Sequence, residues 1–167
     1  SVIFHLFLLP YHILFVRISA LSIFSLFLED KQMERTYIML KPDCIKRGLM
    51  GEVISRIEKK GFKITNAKMM SLDEPILREH YAHIADKPFF PSVVEYMTSG
   101  PVLAMIVEGE NAVKGMRNIM GPTKYDEAMG GTIRGDLATS TSENIVHGSD
   151  SVENAEIEIK RFFGKDA

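Results

Sequence analysis

The stretch Asn144-Ile145-Val146-His147-Gly148-Ser149-Asp150 carries an imidazole out of a short apolar segment and straight into the start of a helix. That places a titratable ring beside a ready-made anion site. Gly148 lets backbone approach closely. Ser149, Asp150 and Ser151 are each able to cap a helix, and Asp150 and Glu153 have the spacing of a capping box. A helix over residues 151–163 sets Val152, Ala155, Ile159, Phe162 and Phe163 on one face, which predicts packing on a sheet with the amino end near the ring. Free amides at such an end favour phosphate. The segment therefore admits a histidine that takes up a phosphoryl group, and equally a histidine that merely ends an edge strand.

The elements that must position this ring follow from periodicity. Residues 35–41 alternate Tyr37 and Met39 against Ile38 and Leu40, apolar on both faces, as a buried central strand does. Lys41-Pro42-Asp43 ends that strand. Residues 48–60 show Leu49, Val53, Ile54 and Ile57 on one helical face, with Gly61 as the stop. Residues 62–72 read as a second strand of mixed polarity, and Pro75 fits the first turn of a helix carrying His80, Tyr81 and His83. A further helix spans 92–98, a nearly all-apolar strand 102–107 and a helix 111–120. Residues 121–141 are rich in Gly and Thr without a long apolar period, an irregular segment of the kind that is often functional. With the strand into His147, this order predicts an α+β fold: a ferredoxin-like split βαβ sandwich, a four-stranded antiparallel sheet with helices on one face.

Length and composition fit one domain with a formal charge of −2, so a site for a polyphosphate has to be assembled locally by the fold. Cys44 is the only cysteine, which rules out an intramolecular disulfide and fits a reducing, cytoplasmic setting. Residues 1–28 form two apolar runs, together long enough to span a bilayer, but Pro10, His5, His12 and Arg17 argue against an anchor. The first methionine is Met33. Residues 1–32 are accordingly set apart as a hydrophobic extension, expected to be translated upstream sequence, and 33–167 as the domain. Membrane contact is expected only if the extension is genuine. Neither a Walker loop nor a Rossmann glycine fingerprint is present.

Six motifs stand in a recognisable order: Lys41-Pro42-Asp43, His80-Tyr81, Pro88-Phe89-Phe90-Pro91, Ser99-Gly100-Pro101, Gly131-Thr132-Ile133-Arg134-Gly135-Asp136 and the run 144–150. In them, and from residue 33 to about 164, the chain resembles the nucleoside diphosphate kinases, in the short form of some bacteria. Met33-Glu34-Arg35-Thr36 resembles the usual family start. The resemblance implies the same fold and a ping-pong exchange, in which a nucleoside triphosphate, mainly ATP, phosphorylates His147 and a second nucleoside diphosphate collects the group. Little base specificity is implied, with maintenance of nucleoside and deoxynucleoside triphosphate pools.

Phosphoryl transfer needs an in-line nucleophile and positive charge around the equatorial oxygens. A neutral imidazole nitrogen meets the first need near neutral pH. Glu158, eleven residues on and about three helical turns away, is implied by the resemblance to sit beside the ring and orient it. Arginine forks match phosphate oxygens, which favours Arg117 and Arg134 for the β- and γ-phosphates. The resemblance adds Thr123 as a hydroxyl donor, Tyr81 near the transferring group, and Lys41 and Asn144 at the ribose hydroxyls. It also places Phe89 stacked on the base with Val93 beside it, and Ser149 behind the catalytic pair. Every base has a π face, so a base held by ring and aliphatic contacts alone is not discriminated. No acidic residues are spaced as a metal cage, and Mg2+ is expected to arrive on the nucleotide.

A non-catalytic binding module on the same fold would be favoured by a missing site residue, but all of those named are present. Nucleic-acid binding lacks interleaved basic and aromatic strand residues. The chain departs from the family at Lys124-Tyr125 and at Gly130, where relatives carry prolines; glycine loosens a loop, so this one is expected to be more mobile, with consequences for subunit contacts rather than chemistry. A homo-oligomer is expected, a hexamer in preference to a tetramer.

Overall fold

A computed structural model of the protein describes residues 33–164; the expectations for residues 1–32 lie outside them. The alternation in β1, Met33–Leu40, sets the architecture. Ile38 and Leu40 point into one apolar cluster and Tyr37 and Met39 into another, all four fully buried. Each buried side chain of this size is worth about 1.5–3 kcal/mol, so a strand with two such faces is stable only at the centre of a sheet covered on both sides. β2, Lys63–Met70, pairs with β3, Val102–Glu110, which pairs with β1, which in turn pairs with the short β4, Val146–Gly148. All pairings are antiparallel, in the order β2-β3-β1-β4. Both long connections step over one strand, as a ferredoxin-like split βαβ fold requires.

Seven helices of the described residues clothe this sheet. α1, Pro42–Lys46, follows β1 at once, so the motif expected only to end the strand also starts a helix, with Pro42 in its first turn. α2, Met50–Lys59, and α5, Ala112–Met120, give Val53, Ile57, Met116 and Met120 to the Ile38 side. These are the crossover helices expected on one face. The opposite face is not left open. α3, Glu74–His80, α4, Phe90–Thr98, and α7, Val152–Phe163, cover it with Leu77, Phe90, Met97, Ile159 and Phe162. Phe162 stacks on Tyr37 at 4.6 Å between ring centres. The segment 121–141 is also more ordered than its composition suggested. It holds a 3-10 turn, Tyr125–Glu127, and α6, Ile133–Leu137, whose first turn is capped by Thr132 Oγ1 accepting from the Gly135 amide at 3.1 Å. Among the described residues no helix is long and apolar enough to cross a membrane.

β4 lies tight against this core. A Cβ added to Gly148 would sit 2.8 Å from Met120 Sδ and 2.9 Å from the Ile38 Cδ1 methyl, so the glycine after His147 is a packing requirement. Gly148→Val is expected to destabilise the protein by about 1–3 kcal/mol through overpacking, read as a lower urea midpoint at unchanged slope.

Candidate functional site

The path of the chain into the site begins at a strained turn. Ile145 has φ +71°, and the Val146 amide donates to the Asn144 carbonyl at 2.8 Å, closing a γ-turn. Such a conformation costs a β-branched residue about 1–3 kcal/mol, and three features offset it. The Ile145 side chain is fully buried. Its carbonyl accepts from the Lys41 amide at 2.9 Å. Its amide donates to Asp43 Oδ2 at 3.1 Å. Asp43, buried in the first turn of α1, takes the Tyr96 hydroxyl on its other oxygen at 2.6 Å. Burial, and then this hydrogen bond, push the Tyr96 phenol well above the ordinary range. Asp43 and Tyr96 had no role in the sequence reading; the available signal was a charged residue directly after a buried strand.

The turn delivers His147 into register with Met39, so its ring lies on the face covered by α7. His147 Nε2 lies 2.9 Å from Glu158 Oε1. Glu158 Oε2 accepts from Ser149 Oγ at 2.5 Å, and Ser149 Oγ in turn accepts from the Tyr37 amide at 3.3 Å. An ionised carboxylate only accepts, so this contact assigns the proton to Nε2 and leaves the Nδ1 lone pair free in the neutral ring. Glu158 belongs to the buried stripe of α7, beside Ile159 and one turn from Ala155 and Phe162. That stripe corrects the expected face: Val152 is exposed. The cap is also corrected. Ser151 Oγ accepts from the Asn154 amide at 3.1 Å, while Asp150 binds the Asn154 side chain at 2.6 Å, so the Asp150–Glu153 box does not form.

A cavity of about 520 Å³ opens over the ring, lined by Lys41, Tyr81, Arg117, Thr123, Arg134, Asn144, His147 and Glu158 among others. Eight of the expected residues thus converge from segments far apart in the chain. Lys41 Nζ donates to Asn144 Oδ1 at 2.6 Å, and Asn144 Nδ2 donates to the carbonyls of Thr123 and Thr141. Burial, then the nearby Arg134, lowers the Lys41 pKa to about 8. Arg134 is itself buried, and three of its donors are spent on backbone: Nε to Asn144, Nη1 to Gly121 and Nη2 to Val146, at 3.3, 2.8 and 2.6 Å. Of its five N–H groups two remain for a ligand. Ser149 lies on the other side of Glu158 from the ring, bonded to Oε2. Phe89 and Val93 do not line this cavity: Phe89 is 54% exposed ahead of α4, and Val93 packs against the Tyr37 cluster.

The cavity also takes in residues that the sequence reading left without a role. Arg161 on α7 lines it, braced by Glu79 at 2.8 Å. His80, at the end of α3, lies edge-on to His147 with ring centres 4.6 Å apart, and burial holds its pKa down to about 2.

Asp43→Ala removes the acceptor for both the Ile145 amide and the Tyr96 hydroxyl. A loss of about 1–3 kcal/mol is expected, read from chemical denaturation, together with weaker nucleotide binding, since Lys41 and Asn144 flank the turn.

The chain matches the family model for nucleoside diphosphate kinase over residues 34–167. The nucleoside diphosphate kinase of Symbiobacterium thermophilum is 53% identical over 133 residues, covering 80% of this chain and 89% of the relative. That of Exiguobacterium sibiricum is 54% identical over 131 residues, covering 78% and 95%. Among solved structures, the apo nucleoside diphosphate kinase of Encephalitozoon cuniculi superposes with a TM-score of 0.78 at 49% identity, over 80% of this chain and 90% of that one. The enzyme of Halobacterium salinarum, in complex with CDP, gives 0.77 at 45% identity, over 81% and 90%. With its site geometry and these likenesses together, the chain belongs to the nucleoside diphosphate kinase family of phosphotransferases.

Proposed function

We propose that the protein moves the γ-phosphate of a nucleoside triphosphate, mainly ATP, to a nucleoside diphosphate in two half-reactions through His147. The observation that carries this reading is the 2.9 Å contact between His147 Nε2 and Glu158, which leaves Nδ1 free at a cavity rich in cationic side chains. The Nδ1 lone pair attacks the γ-phosphorus, the N–P bond forms as the bridging P–O bond breaks, and the diphosphate leaves with the electron pair. Positive charge arising on the ring is offset by Glu158, which Ser149 holds in place. In the second half, a terminal oxygen of another diphosphate attacks phosphorus and the N–P electrons return to Nδ1.

Arg117 and the two uncommitted donors of Arg134 serve the phosphates, with Thr123 adding a hydroxyl and Tyr81 close to the moving group. Lys41 and Asn144, already paired, meet the ribose hydroxyls. The exposed Phe89 ring and Val93 take the base face, so its hydrogen-bonding edge goes unread. Hard Mg2+ prefers oxygen donors. Of the carboxylates here, Glu158 is engaged with His147 and Ser149, which leaves Asp150 as the oxygen donor facing the cavity. That set fits an ion carried in on nucleotide phosphates, where it neutralises their charge. β2 pairs on one side only and is mostly exposed along its length, an edge that invites a second copy, in keeping with a homo-oligomer, a hexamer in preference to a tetramer. Such an enzyme would balance triphosphate pools in the cytoplasm.

Exposure to γ-labelled ATP should leave an acid-labile, base-stable label on the wild-type chain. His147→Ala should carry none, and should lose ATP–GDP exchange by at least roughly a thousandfold; full exchange by that variant would sink the mechanism. Lys41 supplies a pH test. Its charged form binds an anionic nucleotide, and its pKa in the ligand-free protein is pulled down to about 8. Affinity for a nucleoside diphosphate should therefore fall as pH rises through 8, with proton uptake on binding in that range, measured by calorimetry in buffers of different ionisation heat. Lys41→Arg should abolish the uptake.

A further inference from the structure

His80 presents a physical anomaly. Both of its ring nitrogens are buried and neither has a hydrogen-bond partner. Its ring is packed edge-on against His147, Tyr81 and Phe162, at 4.6, 4.5 and 5.1 Å between centres. If packing were its whole purpose, a phenyl ring would fill the place without burying two polar atoms, and buried orphan groups of this kind ask for an explanation such as an ion. The geometry offers one. His80 Nδ1 lies 3.6 Å from Glu158 Oε1, the same oxygen that is 2.9 Å from His147 Nε2. The three donor atoms all lie within 4.8 Å of one another.

We propose that His80, His147 and Glu158 form a three-ligand site for a divalent ion of the zinc class, whose occupation shuts the phosphoryl-transfer centre. Two imidazoles and a carboxylate are the donor set of open, four-coordinate zinc sites, with bond lengths of about 2.0–2.2 Å. Donors on such an ion stand about 3.3 Å apart; the two separations to Glu158, 2.9 and 3.6 Å, lie on either side of that distance, and the two imidazole nitrogens are within 4.8 Å of each other. His147, on the cavity side, closes the set by a small ring rotation. Mg2+ does not compete, because nitrogen donors and a three-ligand set suit neither its hardness nor its octahedral demand. The fourth position opens on the cavity. Ser149 on the other oxygen of Glu158 provides the outer hydrogen bond that ligating carboxylates use.

Lys41, Arg117, Arg134 and Arg161 line the same cavity and oppose any cation there. The site is therefore weaker than a structural zinc site, and the ion is exchangeable, as an inhibitor's must be. Its effect on turnover rests on the reading given under Proposed function. An ion on Nε2 takes the lone pair there, so the single proton of the neutral imidazole moves to Nδ1, and the ion occupies the carboxylate as well. Nδ1 then has no lone pair with which to attack phosphorus, and Glu158 no longer offsets charge on the ring.

The test uses the full chain free of nucleotide, titrated with Zn2+ against a chromophoric competing chelator, and with Co2+ as a spectroscopic probe. One equivalent should bind, with Co2+ giving the intense visible bands of a four-coordinate ion. Affinity should fall at least tenfold in His80→Phe and in Glu158→Gln, stay unchanged in His83→Ala, and resist millimolar Mg2+. Should His80→Phe fail the circular-dichroism check for folding, Glu158→Gln carries the comparison. Equal Zn2+ affinity in wild type and the folded variants, or a Co2+ spectrum like that of the hexa-aquo ion, would overturn the site. Phosphorylation by labelled ATP is measured on the same preparations after a zinc-selective chelator. Label without Zn2+ binding rejects the ion site alone, and Zn2+ binding without label rejects the kinase mechanism alone.

Discussion

A carboxylate buried on the inward face of a helix is unstable unless both of its oxygens are satisfied, and the structure is arranged around satisfying the one on Glu158. One oxygen takes the His147 ring from β4 and the other takes Ser149 from the link that follows, while Ser149 is also tied to the β1 backbone. Helix α7, the edge strand and the central strand are thereby drawn to one point. The contacts that make this burial tolerable are the same ones that orient the imidazole, so burial of the charge and placement of the ring share a single set of hydrogen bonds.

The second constraint is upstream. A β-branched residue in the left-handed region at position 145 is held by Asp43, by the Lys41 amide and by full burial of its side chain. Strain at this point turns the chain so sharply that Asn144 faces Lys41 and, three residues on, His147 falls into register beside Met39. A relaxed turn would space these groups differently. The strain is local, and the hydrogen bonds that offset it come from a segment about a hundred residues earlier.

Charge is managed in the same local way. A chain of net charge −2 builds a cationic cavity by collecting Lys41, Arg117, Arg134 and Arg161. Burial first, and then a neighbouring cation, pulls down both the Lys41 ammonium and the Arg134 guanidinium, to about 8 and about 10. Arg134 is kept in place because three backbone carbonyls, on the loop and on β4, accept from it. It braces the loop 121–145.

The amino-acid sequence by itself determined the elements and the roster. The two-faced pattern of Tyr37 to Leu40 identified a central strand, because alternation reports burial directly, and the family resemblance carried by the ordered motifs named eight residues that meet in the cavity, along with Phe89 and Val93, which do not line it. It could not decide what depends on atoms brought together from far along the chain. The cap on α7 went to Ser151 rather than Asp150, since several adjacent residues can cap and tertiary packing selects one. The helices on the second face of the sheet, α6 within the glycine-rich loop, the Asp43 clamp and the orphaned nitrogens of His80 are likewise products of folding. Periodicity along a chain records which side of an element is buried; it holds no information on which distant partner will be there, and at Glu158 the partners, His147 and Ser149, are what make a buried charge tolerable.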